Sequence, residues 1–214
     1  MAKKLGYSGI SVLEFGVAGG RGLLNLEYHA KDIRKLLSID IDIYGFDTGA
    51  GLPEPLDYRD LPYHWRKSYY TMDVQKLQEK LKTAKLILGD VRETAETFLK
   101  EYKPHPIGAI LVDLDFYSST AAALRILDGD EKYFLPRVFC YFDDVIGHEI
   151  SLYNDYTGER LAINEFNRTH KKKKLAKAYH LVNQKMYHKI WIFHNFEHSK
   201  YNNFISKENQ QLPL

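Results

Sequence analysis

A chain of 214 residues is long enough for one sizeable core and short for two, so a single domain over 1–214 is expected; its 30 Lys+Arg against 28 Asp+Glu leave a formal net charge of +2, which argues against a dedicated nucleic-acid binder. The start MAKKLGYSGI lacks the apolar stretch of a signal peptide, and no run approaches the roughly 20 apolar residues that cross a bilayer. A soluble, cytoplasmic protein with no membrane partner is expected, and the single cysteine, Cys140 in VFCYF, reads as a small buried hydrophobe.

The first strand is expected over about Ser11 to Val17, and VLEFGVAGGRG carries it past Glu14 into a turn rich in glycine at Gly16, Gly19, Gly20 and Gly22. Glycines there let the backbone bend sharply or lie flat against a ligand. Leu26, Ala30, Ile33 and Leu37 then recur at helical spacing. Ile41 to Phe46 is the second strand, with Asp47 at its carboxyl end. A long aromatic segment follows to about Met72, holding Tyr58, Tyr63, His64, Trp65, Tyr69 and Tyr70. Connections of that length usually carry function, here the wall or lid over a ligand.

Asp73 caps a helix through Val74, Leu77 and Leu81, and KLIL (Lys85 to Leu88) reads as strand 3, closed by Gly89 and Asp90. Ala95, Phe98, Leu99 and Tyr102 mark a third helix, stopped by Pro104 and Pro106. Ile107 to Phe116 is the fourth strand, with Ser118, Ser119 and Thr120 offered as caps for the helix AAALRIL. Val138 to Asp144 is the fifth. A polar helix from about Glu159 to Lys174, whose lysine run Lys171 to Lys174 is its solvated end, leads to AYHLV and KIWIF, paired as an antiparallel hairpin across Gln184 to His188.

Strand and helix alternate five times before that hairpin, the order of an open, mostly parallel α/β sheet with helices on both faces. In such a sheet ligands sit at the carboxyl ends of the strands. There the chain sets Glu14, Asp47, Asp90, the pair Asp113 and Asp115, and the pair Asp143 and Asp144. Carboxylates are poor strand residues, so their return at one rim points to a site.

Through LEFGVAGG, the GFD after strand 2 and the GD after strand 3, the sequence resembles the class I S-adenosylmethionine-dependent methyltransferases. YGFDTGAGLPE, VDLDFYSST and YFDDVIG are most similar to the macrocin O-methyltransferase (TylF-like) family. The resemblance covers about Val12 to Gly147. It implies a Rossmann-like fold with a mostly parallel seven-stranded sheet and a C-terminal antiparallel hairpin. It also implies methyl transfer to a hydroxyl of a sugar or related small molecule, assisted by a divalent metal.

On that reading Gly16, Val17, Ala18, Gly19 and Gly20 let the backbone approach the cofactor's methionine part, and Glu14 helps to hold its ammonium group. Asp47 accepts the ribose hydroxyls, while Asp90 and Val91 meet the adenine and Asp113 borders the cofactor. Four carboxylates in one pocket would repel each other, which a hard cation such as Mg2+ relieves. Asp113, Asp143 and Asp144 are the expected ligands, Asp115 a less secure fourth, and Asp113 or His148 the proton acceptor. Family members carry a segment before the first motif that helps close the site. With about eleven residues before strand 1, closure is expected from the long loop, His148 to Glu159, the C-terminal tail or a second subunit, which leaves a homo-oligomer open. A Rossmann-type NAD oxidoreductase and a noncatalytic binding protein of the same fold remain as alternatives.

Overall fold

Runs of Ile, Val, Leu and Phe ending in glycine or an acid form the strands, and polar stretches with helical spacing lie between them. The computed structural model describes residues 1–206; residues 207–214, part of the C-terminal tail considered for closure, lie outside them. The elements are β1 (Gly9–Phe15), α1 (Arg21–Leu37), β2 (Asp40–Asp47), α2 (Val74–Lys80), β3 (Lys85–Leu88), α3 (Val91–Tyr102), β4 (Ile107–Val112), α4 (Tyr117–Leu124), β5 (Phe134–Phe142), α5 (Gly158–Thr169), β6 (Lys173–Lys177) and β7 (Ile190–Asn195).

The strands form one sheet in the order β3-β2-β1-β4-β5-β7-β6. β1 to β5 run parallel, β7 is antiparallel to β5, and β6 is antiparallel to β7. This is the expected Rossmann-like sheet with its terminal hairpin. The order reverses between β1 and β4, which opens a crevice beyond their carboxyl ends.

Side chains alternate across the pleat, so Leu13 and Phe15 face one layer while Ile41 and Ile43 face the other. Ala95 and Phe98 of α3, Leu124 of α4 and Phe166 of α5 cover the first face. Leu23 and Ala30 of α1 and Leu77 of α2 cover the second. Phe15 stacks on Phe46 at 4.5 Å between ring centroids, and Phe98 meets Phe46 edge-on at 5.1 Å. Cys140 is buried in the first layer, which pushes its thiol up to about 12 and leaves it a packing residue.

Four expectations are corrected. In α1 the buried contacts are Leu23 and Ala30, two turns apart on one face, whereas Ile33 and Leu37 are 40% and 49% exposed and fall off that face toward the end of the helix. β4 stops at Val112, and Ser118, Ser119 and Thr120 lie inside α4; the cap comes from Asp60, whose carboxylate accepts from Ser118 N–H and Oγ–H, each at 2.8 Å. α5 ends at Thr169, and Lys173 and Lys174 belong to β6. Pairing of Leu175 with Phe193 overrides helix propensity there, and lysines suit an unprotected sheet edge. AYHLV is therefore not a strand: Tyr179–Leu181 is a 3-10 turn within the β6–β7 connection.

Candidate active site

The glycine turn is tied to the rim by backbone geometry. Gly16 has φ +85°, and a Cβ there would lie 1.8 Å from the Asp113 carbonyl oxygen, so the turn fits against the end of β4 only with glycine. Asp47, the last residue of β2, fastens the same turn. Its Oδ2 accepts from the N–H of Val17 at 2.8 Å and of Ala18 at 2.9 Å, and its Oδ1 accepts from Gly49 N–H at 2.7 Å. Glu14 lies within β1, buried beneath the turn, with Oε1 against Gly22 and Oε2 unpartnered. Burial first, then Asp113 and Asp47, push its carboxyl up to about 8.

A cavity of about 300 Å³ opens at this rim. Gly16, Ala18, Asp47, Asp90, Val91, Asp113, Asp115, Asp143 and Asp144 border it among the residues expected from sequence; Glu14, Val17, Gly19, Gly20 and His148 do not. Asp90 caps α3 by accepting from Arg92 N–H at 2.8 Å and is paired with the Arg92 guanidinium, which holds its carboxyl below the usual range. His148 is exposed and caps a turn, its Nδ1 accepting from Ile150 N–H at 3.4 Å.

Three carboxyl groups converge. Asp113, Asp115 and Asp144 each offer an oxygen within 4.8 Å of the others. Asp115 has φ +58°, a left-handed strain for a non-glycine residue that turns the chain after β4. Asp144 is buried, with its Oδ1 accepting from the Tyr153 O–H at 2.5 Å and its Oδ2 meeting no donor. Burial, then Asp144 and Asp113, push Asp115 up to about 9, and burial is also the largest cause raising Asp144, so the pair resists carrying two charges in this space. Asp113 opens to solvent on its cavity side and is hemmed in elsewhere; burial, then Asp144 and Asp143, lift it to about 7. Asp143 borders the cavity but is turned to Lys189, whose Nζ donates to its Oδ1 at 2.8 Å, and it also accepts from the Tyr141 O–H.

One residue of the site carried no sequence signal beyond its place at a helix start. Glu159, with no exposed surface, accepts from Asp144 N–H through Oε2 at 2.8 Å. Burial, then the Asp144 charge, raise its carboxyl well above the ordinary range.

The aromatic segment forms the outer wall. Leu52 closes it through two backbone bonds, its N–H donating to Tyr69 O at 2.9 Å and its O accepting from Ser68 N–H at 2.8 Å. Buried Asp60 anchors it to α4 and accepts from Leu56 N–H at 3.0 Å, while the Tyr63 O–H donates to Ser151 O at 2.8 Å. Trp65 and Tyr70 border the cavity from this wall; Tyr58, Tyr63 and Tyr69 are exposed and do not.

Among solved structures the chain is similar to CalS11, a calicheamicin methyltransferase, with a TM-score of 0.60 and 24% identity over 73% of this chain and 63% of that one. A second structure of CalS11, described as a TDP-rhamnose 3'-O-methyltransferase, gives 0.58 and 20% over 90% and 74%. The O-methyltransferase NovP gives 0.58 and 15% over 86% and 71%. The chain thus spans less than two thirds of the first of these proteins. No protein-family model and no curated protein sequence matches it. Likeness at such identities establishes the fold: the seven-stranded sheet and its hairpin are those of these methyltransferases. No helix among the described residues is long and apolar enough to cross a membrane.

Proposed function

We propose that this protein is an S-adenosylmethionine-dependent O-methyltransferase that takes a divalent cation, Mg2+ or another hard ion, and methylates a hydroxyl of a sugar or related small molecule. The observation that carries this reading is the convergence of Asp113, Asp115 and Asp144 on one space at the cavity floor, beside a glycine turn shaped by Gly16 and fastened by Asp47. Two neighbouring carboxyl groups raised by burial, with a buried Asp144 oxygen that meets no donor, suit a cation bound by oxygen ligands. Neighbours of the same fold that are named as O-methyltransferases favour this reading over an NAD oxidoreductase, for which the acidic triad has no role.

When bound, S-adenosylmethionine supplies an electrophilic methyl group on its sulfonium, and a divalent cation lowers the pKa of a coordinated hydroxyl. The chain's own residues do the remaining work. Gly16 and Ala18 give a flat surface for the amino-acid end of the cofactor, Asp47 keeps acceptor capacity for ribose hydroxyls, and Val91 lines the adenine side. Asp113, Asp115 and Asp144 hold the cation. Asp113, open to the cavity, would take the acceptor's proton at its carboxylate, a role for which His148, exposed and outside the cavity lining, is misplaced. Trp65 and Tyr70 offer ring faces to the acceptor and exclude water on that side. The macrocin-type phrases VDLDFYSST and YFDDVIG support a sugar hydroxyl as the target.

The test is thermal unfolding with S-adenosylhomocysteine, with and without Mg2+, on wild type, Asp144→Asn and Asp143→Asn. Ligand at about 100 times its Kd stabilises by about 2.7 kcal/mol, or roughly 5–10 °C for a chain of this size. Mg2+ is expected to add a further shift, lost in Asp144→Asn and largely kept in Asp143→Asn, whose side chain already pairs with Lys189. No response to saturating S-adenosylhomocysteine, or a response to NAD instead, refutes the assignment.

A further inference from the structure

We infer that Glu159 is a positioning residue for the divalent-cation site, fixing the Asp144 backbone beside the ligands that follow β4; this rests on the cation reading above. Asp115 follows β4 and Asp144 follows β5, so the triad forms only if two separate loops keep a fixed spacing. Glu159 stands at the start of α5 behind both. Its Oε2 accepts from Asp144 N–H at 2.8 Å, while its Oε1 meets no donor.

The surroundings fix the clamp. Gly158, with φ +54°, turns the chain into α5 and lies beside the Asp115 carbonyl, its built Cβ position 3.6 Å from that oxygen. Arg160 Nη1 donates to Val145 O at 3.4 Å, so consecutive residues of α5 hold the backbone on both sides of the Asp144 peptide. The Tyr117 O–H donates to Glu165 Oε2 at 2.6 Å and ties α4 to the same helix. Glu159 has no exposed surface and is absent from the triad's common space, so it reaches the cation through Asp144 rather than as a ligand.

A positioning role and a purely electrostatic one give opposite orders for two variants. Glu159→Gln keeps an amide oxygen at the same reach and removes the charge; Glu159→Asp keeps the charge and falls one methylene short of Asp144 N–H. Binding of Mn2+ alone is measured by titration calorimetry, and binding of S-adenosylhomocysteine in cation-free buffer is measured alongside. Residues that orient metal ligands typically contribute 10–100-fold in metal affinity, so Glu159→Asp is expected to weaken Mn2+ by about that factor, with Glu159→Gln within about threefold of wild type. Both are expected to bind S-adenosylhomocysteine as wild type does, which separates the effect from misfolding. Mn2+ affinity kept in Glu159→Asp, or lost more in Glu159→Gln than in Glu159→Asp, overturns the inference while leaving the cation site standing. A wild type that binds S-adenosylhomocysteine but no Mn2+ overturns both.

Discussion

Gly16→Ala and Gly19→Ala separate the packed side of the glycine turn from its open side. At Gly16 a methyl group would sit 1.8 Å from the Asp113 carbonyl oxygen, where real contacts do not fall below 3.0 Å, so backbone must move by about 1.2 Å. The left-handed φ adds about 1–2 kcal/mol for alanine, and forced repacking typically costs about 1–3 kcal/mol. Together they give about 2–5 kcal/mol, a large part of the roughly 5–15 kcal/mol of a normal folding free energy. At about 2–4 °C per kcal/mol for a chain of this size, Tm should fall by roughly 4–20 °C. Gly19 has no atom within 4 Å of a built Cβ, so its alanine variant should stay within about 0.5 kcal/mol of wild type. Gly19 is exposed and outside the cavity lining, so the same variant should also bind S-adenosylhomocysteine within about threefold of wild type. Differential scanning fluorimetry and calorimetric titration read both effects. A Gly16→Ala protein melting within about 2 °C of wild type would refute the close-approach account, and Gly19→Ala binding about tenfold more weakly would refute the cavity as the place of the ligand.

Glu14, Asp113 and Asp115 ionise near about 8, 7 and 9 in the fold, against about 4 for ordinary carboxyl groups. Between those values the folded chain holds more protons than the unfolded one, so stability from these groups is full below about pH 4 and is lost as pH rises toward 9. Tm in cation-free buffer should therefore decline from pH 5.5 to 9, and Mg2+ should reduce the decline; a flat cation-free profile contradicts the acidic floor. Glu27 and Asp90, whose carboxyl groups are lowered, act in the opposite sense, their stability being lost only as pH falls below the ordinary carboxyl range. Asp60→Ala removes the acceptor of Leu56 N–H, Ser118 N–H and Ser118 Oγ–H at a buried position. A loss of about 2–4 kcal/mol is expected by urea unfolding, with early proteolytic cleavage within residues 48–72; a loss below 0.5 kcal/mol shows that the loop is held elsewhere.

Short-range patterns determined much of this protein. The apolar runs that became β1 to β5, the glycine turn at Gly16 to Gly20, the Asp73 cap and the recurrence of acids at strand ends are all local, and the alternation of strand with helix, which makes the strands parallel, fixes which end of the sheet they share. Tertiary structure decided which of those acids meet. Asp143 and Asp144 are neighbours in sequence, yet Lys189, 46 residues on, draws Asp143 away while Tyr153 and Glu159 hold Asp144 beside Asp115. No local pattern marks Asp60 as the cap of a helix that begins 57 residues later, nor the lysines of β6 as an edge strand, because both depend on partners supplied by chain crossings. Propensity and spacing act within a few residues, whereas charge pairing, burial and sheet register are set by whatever the fold brings within about 4 Å.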